Sequence, residues 1–271
     1  MTNLVSNAGV VASDVSGVGT ARQGPAACEY GGDKGIFGYG TAAGGSYVSI
    51  TNLVSNAGVV ASDQAATTGT NRQFVAACEF GGDKGIFGFG STGSVVGMTN
   101  LVSNAGVVAS DVIAVGTARK NLAACEFGGD KAIFGYGRTA SVVSITNLIS
   151  NAGVVASDQA ATTGTARDQL AACSYGGDKG IFGYGEGPLS MTNLVSNAGV
   201  VASDVAGVGT ARRYAAACEY GSDKAIFGFG HDGISSNTAI TNLVSNAGVV
   251  ASDQAATTGT ARYIQAACSF N

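Results

Sequence analysis

The chain has 271 residues, of which 43 are glycine, 2 are proline and none is tryptophan, and only 12% are charged. A hydrophobic content of 45% is ordinary for a packed protein and excludes a disordered chain, and the lack of a Gly-X-Y period excludes collagen. The net charge is −4 and no run of basic residues occurs, which argues against a nucleic-acid-binding protein, because such proteins cluster basic side chains against phosphates.

One segment, Thr-Asn-Leu-(Val/Ile)-Ser-Asn-Ala-Gly-Val-Val-Ala-Ser-Asp, recurs along the whole chain at a period of about 48 residues. Its six copies begin at Thr2, Thr51, Thr99, Thr146, Thr192 and Thr241. A fixed period of this length is typical of repeat architectures, in which each repeat is one structural unit. We therefore interpret residues 1–271 as a single domain of six repeats, the last of them truncated.

Each repeat offers four short strand-like segments and no helical pattern. In chain order the first examples are Ala26–Tyr30, Gly35–Tyr39, Leu53–Ser55 and Val59–Ala61. Turns rich in glycine and asparagine separate the strands of each pair, and such residues accept the positive φ of a tight hairpin. Four strands in each of six repeats predict an all-β fold, a six-bladed β-propeller with four-stranded antiparallel blades.

The order of motifs within a repeat resembles the kelch repeat. In the fourth copy, Arg167 precedes the small-residue segment Ala171–Cys173, and a turn leads to Ile181–Gly185. The chain departs from the kelch pattern by splitting the adjacent glycine pair into Gly-Tyr-Gly and by lacking the outer-strand tryptophan. The resemblance implies that the Cys strand is innermost, with the Ile-Phe-Gly, Asn-Leu-Val and Val-Val-Ala strands following outwards.

The strand order implied by that resemblance predicts a closing blade built from both termini. Residues 2–14 would supply its third and outer strands and Ala266–Phe270 its innermost strand. The sixth copy stops at Asn271, before an Ile-Phe-Gly strand. We expect a three-stranded or rearranged closing blade, or a strand supplied by another chain through strand exchange or oligomerisation.

The copies differ mainly in the triplet after each Arg and in the loop after each Gly-(Tyr/Phe)-Gly. Because neighbouring strands run in opposite directions, both variable sets are predicted to lie on one face and the constant turns on the other. This pattern favours a ligand-binding face, and neutral drift in exposed loops is the alternative. The candidate binding residues are Gln23, Tyr47, Gln73, Phe74, Lys120, Asn121, Asp168, Gln169, Arg213, Tyr214, Tyr263 and Ile264.

The chain offers little material for catalysis or for a metal site. His231 is the one histidine and no Cys-x-x-Cys pair occurs, so we expect no enzyme activity, no metal and no cofactor. Four glutamates are predicted to face the axial channel, as a solvated lining or as a ring around a cation. These are Glu29, Glu79, Glu126 and Glu219. The six cysteines are expected to be free thiols packed between blades.

The same features bear on location and function. No signal peptide or membrane-spanning segment is visible, which favours a cytoplasmic or otherwise reducing compartment and leaves a virion component possible. We expect a non-enzymatic binding or structural module, natural or designed, that presents its variable face to a protein partner or assembly. The alternative is a carbohydrate-binding lectin with sites on or between blades. Neither a nucleic-acid nor a membrane partner is expected.

Overall fold

The computed structural model describes residues 1–65, 67, 69–113, 116–160, 164–234, 236–255, 257 and 259–270. These residues form an all-β fold of short strands, with one 3-10 turn at Ala43–Gly45. Across the described residues, no helix has the length and apolar character needed to cross a membrane.

In chain order the strands are β1 (Arg22–Gln23), β2 (Ala26–Tyr30), β3 (Lys34–Gly38), β4 (Thr41–Ala42), β5 (Thr51–Val54), β6 (Ala76–Phe80), β7 (Lys84–Gly88), β8 (Met98–Val102), β9 (Val112–Ile113), β10 (Ala123–Phe127), β11 (Lys131–Gly135), β12 (Thr146–Ile149), β13 (Ala171–Tyr175), β14 (Lys179–Gly185), β15 (Leu189–Val195), β16 (Ala216–Tyr220), β17 (Lys224–Gly228) and β18 (Thr241–Val244).

These strands form five antiparallel meanders, one for each complete repeat unit. We name them sheet 1 (β2-β3-β5), sheet 2 (β6-β7-β8-β9), sheet 3 (β10-β11-β12), sheet 4 (β13-β14-β15) and sheet 5 (β16-β17-β18). A separate two-stranded sheet pairs β1 with β4. In each meander the Cys strand pairs with the Ile-Phe-Gly strand, which pairs in turn with the Asn-Leu-Val strand, as predicted.

The predicted fourth strand, Val-Val-Ala, is reduced to a single β-bridge, such as Val54 with Val60 in sheet 1. A side-chain hydrogen bond explains this difference. Next to the bridge, on the side away from the turn, Asn52 Nδ2 donates to the Ala61 carbonyl at 3.1 Å, which competes with a longer ladder. Among the described residues only sheet 2 has a fourth strand, β9, and it is formed by a later segment.

Consecutive sheets pack through a repeated contact that we call a junction. At the junction of sheets 2 and 3, the ring of Phe134 lies edge-on to Phe89, with 5.1 Å between ring centroids. A β-carbon at Gly88 would collide with the Phe134 ring, so the strand can approach only because this residue is glycine. The Arg119 guanidinium lies 4.4 Å from the Phe89 centroid, and its Nε donates to the Tyr136 carbonyl at 2.8 Å.

The same arginine also anchors a polar network that runs from the interior to the surface. Its Nη2 donates to Asn147 Oδ1 at 2.7 Å, and Asn147 Nδ2 donates to Asp158 Oδ1 at 2.9 Å. The Thr117 hydroxyl donates to the other Asp158 oxygen at 2.6 Å. The arginine side chain is completely buried, so these acceptors compensate the cost of removing its charge from water.

The two terminal segments, residues 2–15 and 259–270, lie against each other. Asp14 accepts the backbone N–H of Thr260 at 3.0 Å and lies 3.3 Å from the Arg262 guanidinium, which also donates to Asn3. The first segment forms the isolated bridges Thr2–Val15 and Val5–Val11, and the second forms no strand. The two termini therefore share one polar network of the kind found within each complete unit.

Candidate functional site

The two variable sets of residues meet in backbone pairing. Gln23 pairs with Thr41 in the β1–β4 ladder, and Lys120 pairs with Arg138 through a bridge. The other such bridges are Gln73–Ser91 and Arg213–His231. In these four units the residue after the repeat arginine is thus held against the loop that follows Gly-(Tyr/Phe)-Gly, which brings copy-specific side chains together.

The middle residues of the six variable triplets surround a small cavity of about 100 Å³, which we call the mouth. They are Gly24, Phe74, Asn121, Gln169, Tyr214 and Ile264. Backbone hydrogen bonds join neighbours, for example Tyr214 N–H to the Gln169 carbonyl at 2.8 Å and Gly24 N–H to the Ile264 carbonyl at 3.1 Å. The second of these bonds connects the sixth copy to the first.

All six mouth residues have a left-handed backbone, with φ between 53° at Tyr214 and 60° at Gly24. Glycine adopts this conformation without strain, whereas a β-branched residue such as Ile264 does so at a cost. The first copy has glycine and proline in its triplet, so the scaffold accepts small residues here. The bulky side chains of the other copies are therefore held at the mouth against the backbone preference.

An aromatic cluster lies on one side of the mouth. Phe74 and Tyr214 are stacked with 6.5 Å between centroids, and Tyr214 is 6.1 Å from Tyr263. His231 lies edge-on to Tyr263 with 5.5 Å between ring centroids, and residue Tyr263 is 42% exposed. Burial raises the pKa of Tyr214 to about 12, so this phenol stays neutral and can donate a hydrogen bond throughout the physiological range.

An ion cluster lies next to it and links three units. Arg138 Nε and Nη2 donate to the two carboxylate oxygens of the buried Asp168 at 2.7 and 3.3 Å, and Arg138 also pairs with Glu186. Arg213 lies 3.8 Å from Glu186. Hydrogen bonding to Asp168 raises the pKa of the Arg138 guanidinium above its usual range. The bidentate geometry fixes the Arg138 loop against the triplet that contains Asp168.

The remaining candidate residues take separate places. Tyr47 accepts a hydrogen bond from Gln73 Nε2 at 3.1 Å, Asn121 Nδ2 donates to Asp168 at 3.3 Å, and Gln23 is exposed. Sequence reasoning did not select Arg138, Glu186 or His231 as site residues. Their position in the sequence could have indicated them, because each directly follows a Gly-(Tyr/Phe)-Gly segment, where the copies diverge.

The four glutamates of the Cys strands alternate with the cysteines and influence one another electrostatically. Burial, and next the charges of the other glutamates, raise the pKa of Glu29 and Glu126 to about 8 and that of Glu79 to about 7. The Ser174 hydroxyl donates to Glu219 at 2.7 Å. Within the described part of the chain, no group of three or more His, Cys, Asp or Glu side chains is arranged to hold a metal ion.

The cysteines point the other way, towards the neighbouring sheet. All six are free thiols; five are buried and Cys268 is half-buried. The Cys28 sulfur lies only 2.5 Å from the position that a β-carbon on Gly85 would take, so this strand can approach only because the residue is glycine. Burial raises the pKa of the Cys28 thiol well above its usual range, so the thiol behaves as a small apolar group.

Comparison with known proteins adds no assignment, because neither a protein-family model nor a curated protein matches this chain.

Proposed function

We propose that the chain is a six-bladed, kelch-like β-propeller that binds a protein partner at the mouth and its flanking loops, and that it performs no catalysis. The observation that supports this most strongly is the convergence of copy-specific side chains on one place. Phe74, Tyr214 and Ile264 are kept there although their backbone conformation favours glycine. Near-constant turns elsewhere in each repeat indicate that the scaffold itself tolerates little change.

The chemistry of the face favours a protein partner. Half-buried aromatic rings beside an ordered ion cluster resemble the composition of interaction hot spots, in which tyrosine and arginine are enriched. Tyr214 and Arg213 lie at the centre of this arrangement and Tyr263 is its most exposed ring. Each copy contributes a different residue, which favours one asymmetric partner over several equivalent small ligands.

A lectin is the second candidate, and the exposed Tyr263 ring favours it. A sugar ring can stack on an exposed aromatic face, and His231 and Gln265 next to it could supply polar contacts. A lectin that works through multivalency would repeat this site in several copies, and the other five copies have Gln, Gln, Lys, Asp and Arg at the position of Tyr263.

The test removes the mouth side chains without disturbing the backbone. In the triple variant Phe74→Gly, Tyr214→Gly, Ile264→Gly, each new residue suits the left-handed conformation, so the fold should be kept. Affinity capture followed by quantitative mass spectrometry, with a glycan array in parallel, compares this variant with the parent. The matched control is Ser222→Gly, which makes the fifth constant turn identical to the other four.

We expect a protein that is captured by the parent and by Ser222→Gly but at least tenfold less by the triple variant. Equal capture by all three proteins would contradict the placement of the site. Binding of a glycan that the triple variant loses would establish the lectin instead.

A further inference from the structure

A cavity of about 470 Å³ lies between the two terminal segments and extends from sheet 5 to sheet 1. We call it the slot. One wall is the Cys268 segment and the opposite wall is the Asn3–Val5 segment. In every complete sheet the Ile-Phe-Gly strand runs between these two elements, as β11 runs between β10 and β12. The slot therefore occupies the position of an absent central strand.

The aromatic contacts of a junction are unfilled on both sides of the slot. Elsewhere the phenylalanine of each Ile-Phe-Gly strand is fully buried against a ring of the preceding sheet, namely in the pairs Tyr39–Phe87, Phe89–Phe134, Tyr136–Phe182 and Tyr184–Phe227. Phe37, which borders the slot, is only half-buried. On the other side a β-carbon at Gly228 would meet only the Thr241 methyl group, at 3.3 Å.

Arg22, one of the two repeat arginines that border the slot, also lacks an aromatic ring. The other five repeat arginines each lie 4.1–4.5 Å from the centroid of an aromatic ring in the preceding unit: Arg72, Arg119, Arg167, Arg212 and Arg262. Arg22 lines the slot with a side chain that is 6% exposed, and among the described residues no ring lies over it. A tyrosine or phenylalanine in the slot would restore this contact.

At both ends of the slot, polar groups lack the hydrogen-bond partners that their equivalents have in the complete sheets. The last glycine of each Gly-(Tyr/Phe)-Gly donates to the carbonyl of the next repeat arginine, as Gly90 does to Arg119 at 3.0 Å, and within the described residues Arg22 receives no such bond. At the other end, asparagines equivalent to Asn7 donate to a turn aspartate, as Asn151 does to Asp130 at 2.9 Å. No described aspartate lies opposite Asn7.

These requirements together specify a sequence. An aspartate is needed for Asn7, a phenylalanine for Gly228, an aromatic residue for Arg22, and a glycine after it for the Arg22 carbonyl. We propose that the slot binds an extended strand of the form Asp-Lys-(Gly/Ala)-Ile-Phe-Gly-(Tyr/Phe)-Gly, donated by a second polypeptide. Main-chain hydrogen bonds to both walls supply affinity, and the phenylalanine and following aromatic pockets supply specificity.

The test is a titration of the 271-residue chain with a fluorescent synthetic peptide that has the sequence of residues 176–187, followed by fluorescence anisotropy. We expect saturable binding at one peptide per chain. A peptide with alanine at the position of Phe182 should bind at least tenfold more weakly, and a scrambled peptide should not bind. Absence of binding, or equal binding of the scrambled peptide, would overturn the proposal.

A variant of the protein tests the location. Gly228→Ala places a methyl group where the incoming phenylalanine ring must pack, and since this methyl group meets only the Thr241 methyl group, at 3.3 Å, the fold should be kept. Its affinity for the peptide should fall at least tenfold while its thermal unfolding matches that of the parent. Unchanged affinity in the folded variant would mean that the peptide binds elsewhere and would overturn the proposal.

A second measurement uses the unmodified protein and does not depend on that variant. Cys268 lies in a wall of the slot and is half-buried, unlike the other five cysteines, so it should be the first thiol alkylated by N-ethylmaleimide under native conditions. Saturating peptide should slow its alkylation at least tenfold, as followed by mass spectrometry. Alkylation of Cys268 at the same rate with and without bound peptide would also contradict the proposal.

Discussion

The junction of sheets 2 and 3 and the border of the slot contain equivalent residues in different surroundings. Phe134 is fully buried on Phe89 and Gly88, whereas Phe37, its equivalent in sheet 1, is half-buried beside a cavity. The two phenylalanines have the same sequence context, so the difference in their burial comes from the neighbouring sheet. Two consecutive copies complete the ladder of one sheet, but its large aromatic ring and its arginine become fully packed only when a neighbouring central strand is present.

The largest predicted effect is the difference between Phe134→Ala and Phe37→Ala. Truncation of the fully buried ring leaves a cavity in the junction and should lower the free energy of unfolding by about 3 to 5 kcal/mol. Phe37→Ala should cost less than about half as much, because its ring already borders empty space. Denaturant unfolding followed by circular dichroism measures both values. Equal losses would show that Phe37 is packed as fully as Phe134.

The next effect compares Arg119→Lys with Arg22→Lys. Lysine cannot reproduce the bonds of Arg119 to Tyr136 and Asn147 or its stacking on Phe89, so a loss of about 3 kcal/mol is expected. Arg22 has only its contacts within its own unit and no ring, so its replacement should cost about half of that. The same denaturant titration tests this, and a larger loss at Arg22 would contradict the comparison.

A smaller effect concerns pH and the glutamates of the Cys strands. Because the folded-state pKa of Glu126 is raised to about 8, the folded protein retains a proton that the unfolded chain releases near pH 4.5. The stability contributed by the neutral form is therefore present at low pH and is lost as pH rises towards 8. Glu126→Gln should be neutral at pH 4 and should stabilise the protein by about 1 to 2 kcal/mol at pH 8. A gain independent of pH would indicate a packing effect.

Much of the fold follows from local sequence, because the strand segments and the Gly-Gly-Asp-Lys turns act within a few residues. The outer Val-Val-Ala strand was predicted and is only a bridge, since the Asn52 side chain donates to the Ala61 carbonyl that a longer ladder would use. The absence of a central strand in the last unit was also visible as a missing motif. The sequence did not indicate that Arg22 would lack an aromatic partner, because the ring over each of the other repeat arginines comes from the preceding unit.

The candidate site was less predictable. The residues at the mouth could be predicted because a comparison of the six copies shows that the triplet after each repeat arginine varies. The ion cluster of Arg138, Asp168 and Glu186 was not predicted, since its members come from three segments that only the packing of sheets brings together.

The most direct test of the difference between a junction and the slot is one methyl group placed at two equivalent glycines. Gly88→Ala and Gly228→Ala change the same position of β7 and β17, and their free energies of unfolding are measured side by side. We predict a loss of about 1 to 3 kcal/mol for Gly88→Ala, where the methyl group meets the Phe134 ring, and a change within about 0.5 kcal/mol for Gly228→Ala. Equal losses at the two positions would contradict the existence of the slot.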